Sequence, residues 1–173
     1  MIHGVINIYK EKGFTSHDVV AKLRGILKQK KIGHTGTLDP DAEGVLPVCL
    51  GKATKLCDML TDKDKTYETV LLLGQVTDTQ DISGQILEEH STGHLTEEMV
   101  REAILSFAGE YDQIPPMYSA LKVNGKKLYE LAREGKEVER KPRKVTIYQI
   151  VIKEINLPRV RMEVKCSKGT YIR

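Results

Sequence analysis

Three carboxylates stand at alternate positions, Asp39, Asp41 and Glu43, inside the run G-H-T-G-T-L-D-P-D-A-E-G-V-L-P-V-C-L-G-K-A-T-K that spans 33–55. Four glycines and two prolines interrupt this run, so it forms neither one helix nor one strand. Asp39 precedes Pro40, and the proline ring pushes the residue before it toward extended backbone. A carboxylate held on so stiff a loop can act as nucleophile, as base or as metal ligand. The pattern Asp39, Asp41, Glu43, Gly44 resembles the opening of a calcium loop, which requires a glutamate six residues after its glycine. That position is Leu50, which argues against calcium. A two-metal nuclease would need carboxylates converging from elsewhere, such as Asp58, Asp62, Asp64, Asp78 and Asp81. A solvated surface turn is the plain alternative.

Further motifs follow in order. K-T-Y-E contains Lys65 and Tyr67, T-D-T-Q-D-I-S-G ends at Gly84, Q-I-P-P-M-Y-S-A-L-K-V-N-G runs from Gln113 to Gly125, and K-G-T-Y-I-R closes the chain. Together with G-H-T-G-T-L-D-P-D-A-E-G they resemble the TruB family of tRNA pseudouridine synthases, over essentially all 173 residues. The family usually carries K-P-x-G near its start, whereas this chain has Lys10-Glu11-Lys12-Gly13, which loosens that turn.

The resemblance implies an isomerase that converts the T-loop uridine of tRNA (position 55) to pseudouridine, by base flipping, glycosidic cleavage and carbon–carbon rejoining. It implies Asp39 as the catalytic carboxylate, acting either as nucleophile or by removing a ribose proton. Tyr67 would stack on the flipped base and His34 would fill the space it leaves in the RNA loop. Tyr171 would line the uridine pocket, and Arg173 would pair with Asp39. Read without the family, Tyr67 is a core strand tyrosine, His34 a hydrogen-bonded turn residue and Arg173 a solvated strand end. No cofactor or metal is expected, because the reaction formally needs neither. The segment 113–143 resembles the family's thumb-like insertion that clasps the T-arm.

These residues need a scaffold. Gly4 to Tyr9 reads as an apolar strand, and Ser16 is expected to cap a helix with Asp18 in its first turn and a buried stripe of Val19, Val20, Leu23, Ile26 and Leu27. Ala53, Leu56, Cys57 and Leu60 recur at helical spacing. Thr66 to Val76 is strand-like, with a second strand near Gln85 to Leu87 after a turn at Gly84. Leu95 and Val100 flank Thr96 as a hydrophobic staple on a helix expected to end at Gly109. Asn124-Gly125 signals a tight turn, 126–133 a helix stopped by Gly135, and Val145 to Ile155 with Val160 to Cys166 an antiparallel pair linked near Pro158. This order predicts an α+β fold. The resemblance implies a pseudouridine synthase fold, a central mixed, largely antiparallel sheet flanked by helices.

Length suits one catalytic domain, 1–173. The net charge of +3 does not by itself announce an RNA binder, but its distribution is uneven. No acid lies between Val19 and Leu38, where Lys22, Arg24, Lys28, Lys30 and Lys31 do. A second basic region runs from Lys122 to Lys144, diluted by four glutamates. Lys28, Lys30, Lys31, Lys122 and Lys126 are therefore candidates for RNA backbone contact. Three cysteines without a C-x-x-C pair read as reduced thiols, and no signal peptide or apolar span is apparent, so a cytoplasmic location without membrane contact is expected. The run ending at Arg173 carries no terminating signal, and in the family it leads into further catalytic structure and then a PUA domain. The chain is accordingly expected to be a portion of a longer protein, its partners being the tRNA T-arm stem-loop and that missing C-terminal portion. A non-catalytic RNA-binding module is the other reading, although a fixed carboxylate at Asp39 would repel RNA phosphates to no purpose in one.

Overall fold

A computed structural model describes all residues from Met1 to Arg173. The chain divides into two compact units, Met1–Lys63 and Asp64–Arg173. Every strand pairing is antiparallel, and helices accompany the sheets, giving the expected α+β class.

In the first unit, β1 (Gly4–Lys10), β2 (Ile32–His34) and β3 (Gly44–Leu50) form a sheet ordered β1-β3-β2. Leu46, Val48 and Leu50, two residues apart on β3, share a face. They pack with Ile32 against Val19 and Val20 of α1 (Ser16–Leu27), while Ile8, Phe14, Leu23 and Leu27 close the rim. Ile26 departs from the expected stripe and is 66% exposed. At 100° per residue it falls about 20° behind Val19, away from the centre of the face that Val20, Leu23 and Leu27 define. After β3 a 3-10 turn (Gly51–Leu56) leads into α2 (Cys57–Thr61).

The N-cap of α1 is Thr15, not Ser16. Asp18 N donates to Thr15 Oγ1 at 3.0 Å, and Thr15 N donates back to Asp18 Oδ2 at 2.8 Å, a reciprocal capping box. Ser16 becomes the first helical residue, and its hydroxyl accepts from Leu38 N instead.

The second unit is built on a sheet ordered β4-β11-β10-β7, from β4 (Lys65–Leu72), β7 (Gly109–Gln113), β10 (Arg143–Asn156) and β11 (Arg159–Cys166). The hairpin β10–β11 turns at Leu157-Pro158, near where the proline suggested. One cluster packs Val160 with Val100 and Ile104 of α3 (Glu97–Leu105). Leu95 lies against this cluster, as the staple requires, and Thr96 is the N-cap. A second cluster holds Ile147, Val164 and Cys166, with Tyr67, Tyr111 and Ile172 against it.

Other expected boundaries move as well. The single strand over 66–76 is two, β4 and β5 (Gln75–Thr77), the latter paired with β6 (Ile86–Glu89). The chain turns at Gly74 (φ +90), where a Cβ would meet His90 O at 2.8 Å, so only glycine fits. Helix α3 ends at Leu105 rather than Gly109; Phe107 and Ala108 instead make turn bonds to the carbonyls three residues back.

In the segment 113–143, Asn124 and Gly125 both have positive φ and join β8 (Lys122–Val123) to β9 (Lys126–Lys127). Lys126 and Lys127 therefore belong to a strand, and the helix expected from 126 begins at Leu128 (α4, Leu128–Arg133). It is stopped after Arg133 by Gly135, with Gly135 N donating to Ala132 O and Lys136 N to Leu131 O, a Schellman closure. No helix is long and apolar enough to cross a membrane.

Candidate active site

Asp39 lies on the loop that joins β2 to β3, and a set of long-range bonds ties that loop to its own unit through backbone atoms. Thr35, almost fully buried, donates both its N–H (3.1 Å) and its hydroxyl (3.2 Å) to Pro47 O. Leu38 N donates to Ser16 Oγ at 3.0 Å. Ala42 N closes a turn onto Asp39 O at 3.0 Å, with Pro40 at the second position, where its fixed φ is suited to such a turn. Gly13 N donates to Pro40 O at 2.9 Å.

Lys10 is the least expected member of this set. It has no exposed surface, and its Nζ donates to Phe14 O (2.7 Å), Glu11 O (3.0 Å) and Pro40 O (3.4 Å). One ammonium thus joins the turn after β1 to the Asp39–Pro40 turn. Burial lowers its pKa, while the charges of Asp39, Asp41 and Glu43 act in the opposite sense and favour the cation. In the sequence Lys10 stands only as part of a loosened turn. The signal was present, a lysine closing an apolar strand beside a glycine turn, but nothing local says which carbonyls it will meet.

His34 ends β2, half-buried, and its Nδ1 is buried without a hydrogen-bond partner. With His17, Arg24, Lys30 and Lys31 it lines an open cleft of about 540 Å³ within the first unit. Lys28, in left-handed conformation at the end of α1, is exposed like Lys30 and Lys31. Cys49 and Cys166 are buried and Cys57 half-buried, all three as free thiols. Burial, with the Cys57 thiol beside it, pushes Cys49 up to about 11. No three His, Cys, Asp or Glu side chains gather as a metal-binding group.

The other expected site residues, Tyr67, Tyr171 and Arg173, belong to the second unit. Tyr67 is half-buried opposite Val164 and packs against the Ile147–Val164–Cys166 cluster. Tyr171 is held by its backbone, since Tyr171 N donates to Gln113 Oε1 (2.8 Å) and Gln113 Nε2 donates to Tyr171 O (2.9 Å). Arg173 Nη1 reaches Asp81 Oδ2 at 3.3 Å and Thr79 O at 3.4 Å. Asp81 also accepts from Thr79 Oγ1 (2.7 Å), Ser83 N (2.9 Å) and Ser83 Oγ. Gly84 permits this close loop, because a Cβ there would overlap Asp78 Oδ1 at 2.2 Å. The role of Asp81 was missed; its partner in the pair is distant in sequence.

Of the two candidate cations in the 113–143 segment, Lys122 is exposed on its hairpin, whereas Lys126 pairs with Glu134 at 3.5 Å. Lys136 shares that glutamate at 2.7 Å, and Arg140 pairs with Glu137 at 2.9 Å. The glutamates that dilute this basic region in sequence also neutralise part of it in space.

The chain is 65% identical to a tRNA pseudouridine synthase B of Lachnoclostridium phytofermentans, over 99% of its own length and 58% of the relative's. It is 57% identical to one from Clostridium perfringens, over 99% and 59%. The chain thus spans a little under three-fifths of the length of these curated relatives. Among solved structures, it superposes on a chain of a Cbf5-Nop10-Gar1 complex with a TM-score of 0.73 and 34% identity, covering 99% of this chain and 41% of that one. A chain of an H/ACA RNP bound to a substrate RNA containing 2'-deoxyuridine gives 0.70 and 30%, covering 99% and 40%. Residues 24–172 match the model of the TruB family pseudouridylate synthase N-terminal domain, and the chain therefore belongs to that family.

Proposed function

We propose that this chain carries the catalytic carboxylate and part of the RNA-binding surface of an enzyme that converts the T-loop uridine of tRNA, position 55, to pseudouridine. The observation that carries the reading is the Asp39 loop, held through its backbone by Lys10, Ser16, Thr35 and Gly13 in a member of the TruB family. The reaction is an isomerisation. The bond from ribose C1′ to N1 breaks, the base turns, C5 bonds to C1′, and the proton lost from C5 is balanced by one gained at N1. Asp39 serves this exchange as nucleophile at the sugar or as base for a ribose proton. A rigid loop favours either role, because a preoriented carboxylate need not be ordered during the reaction.

In this reading Tyr67 stacks on the flipped base, Tyr171 lines its pocket, His34 fills the gap left in the RNA loop, and Arg173 orients Asp39. Lys28, Lys30, Lys31, Lys122 and Lys126 contact phosphates, and 113–143 clasps the T-arm. The enzyme works in the cytoplasm, where tRNA is matured, and the reaction requires no cofactor. Incubation of the protein with unmodified tRNA, followed by mapping of pseudouridine, tests this. Modification at the T-loop uridine is expected; RNA binding without any isomerisation would favour a binding module instead.

A further inference from the structure

The cleft lined by His17, Arg24, Lys30, Lys31 and His34 is not explained by a loop that only needs to present Asp39. Five of its lining side chains are basic, and no Asp or Glu lines it. Four lysines of the second unit are matched with acids, Lys126 and Lys136 with Glu134, Lys144 with Glu110 and Lys153 with Glu163. Arg24, Lys30 and Lys31 have no such partner, so their charges add rather than cancel.

Arg24 is also fixed in place. Its Nε donates to Lys30 O at 3.0 Å and its Nη2 leans on Ile32 O at 3.5 Å. These bonds hold the guanidinium plane and leave the Nη1 donors unspent, so a ligand gains a preoriented fork at little cost in side-chain entropy. A second unspent polar atom, His34 Nδ1, belongs to another lining residue. A volume of about 540 Å³ exceeds what a bare ion fills and suits a nucleotide-sized group.

We propose that this cleft binds the anionic oxygens of a phosphate group, with Arg24 as the fixed anchor and Lys30 and Lys31 as the mobile charges. The source is a single RNA backbone phosphodiester with its adjoining ribose, a step that rests on the RNA reading above; a free phosphate is the alternative source of the same chemistry. Seating one phosphate beside His34 would set the register of the RNA along the loop that carries Asp39.

The test measures binding of a T-arm hairpin RNA to the protein across a salt series, alongside hairpins that each carry one neutral methylphosphonate linkage. Arg24→Gln should weaken binding about tenfold and reduce the salt slope by roughly 0.7 to 0.9. One methylphosphonate position should produce the same loss, and combining it with Arg24→Gln should add nothing further. Arg24→Lys, which keeps the charge but not the fork, should fall between, and guards against a fold defect in the first variant. Lys22→Gln removes a charge from α1 outside the cleft and should show no such coupling to any linkage. Losses that add at every linkage would overturn the proposal in favour of a diffuse field. If no hairpin binds, the RNA reading itself fails, and titration with inorganic phosphate decides. Amide shifts at Lys30 to His34 that vanish in Arg24→Gln then assign a free-anion site, and no shifts overturn the cleft as a site.

Discussion

The loop that carries Asp39 and the loop that carries Asp81 are both short, rich in Asp and Thr and followed by a glycine, yet they are anchored through different atoms. At Asp81 the carboxylate itself is the anchor, accepting from Thr79, Ser83 and Arg173 at once. The loop of Asp39 is gripped through its backbone as well, with Lys10, Gly13, Ser16 and Thr35 bonded to carbonyls and amides. A carboxylate that serves as the hub of its loop cannot move or change charge without loosening the loop. One whose loop is also held through its backbone leaves more of the frame standing when it is changed. The proposed role of Asp39 would draw on that backbone support.

The two loops should differ most when Asp39 itself is changed. Asp39→Asn should abolish pseudouridine formation, by at least about a thousandfold, while tRNA binding stays within about tenfold. Stability should fall by no more than about 1 kcal/mol, because the backbone bonds of the loop remain, and a thermal melt would check this. Retained turnover would remove Asp39 from the chemistry.

Lys10→Met should be the next largest effect, because it withdraws the donor from three carbonyls in a buried place. A loss of about 3 kcal/mol in unfolding free energy is expected, with turnover reduced at least tenfold in the protein that remains folded. Unchanged activity would mean that the Asp39 loop does not depend on this ammonium.

Asp81→Asn should reverse the pattern of Asp39→Asn, lowering stability by about 1 kcal/mol while turnover stays within about tenfold. Burial by itself would raise the Asp81 pKa, but hydrogen bonds from Ser83 and Thr79 and the Arg173 charge outweigh it and hold the carboxyl below its usual range. The stability it contributes is therefore complete above the unfolded carboxylate pKa of about 3.9, and is lost as pH falls through the lower folded value. The acid limb of a stability profile should flatten in Asp81→Asn. An identical limb in both proteins would show that Asp81 contributes nothing to it.

Ser16→Ala should give the smallest effect. Leu38 N loses its acceptor and about 1 kcal/mol is expected, with a fall of a few fold in turnover. A cost as large as that of Lys10→Met would place the main anchor of the loop at Ser16 instead.

Local chemistry determined much of this molecule. Asn124-Gly125 makes its hairpin because both positions need positive φ, and Thr96 caps α3 because its hydroxyl meets the amide of Met99, three residues on. The motif around Asp39 was recognisable because its glycines, prolines and acids occupy adjacent positions. What the tertiary structure decided are the contacts between residues far apart in the chain. Lys10 meets Pro40 across 30 residues, Ser16 meets Leu38 across 22, and Arg173 meets Thr79 across 94. Even the cap of α1 shifted from Ser16 to Thr15, with Ser16 bonded to Leu38 instead. Periodicity and propensity describe a residue's relation to its near neighbours on one element, so they report caps and turns. Which distant carbonyl a buried ammonium will satisfy depends on where folding places both, and that is settled only when the sheet and helix have packed.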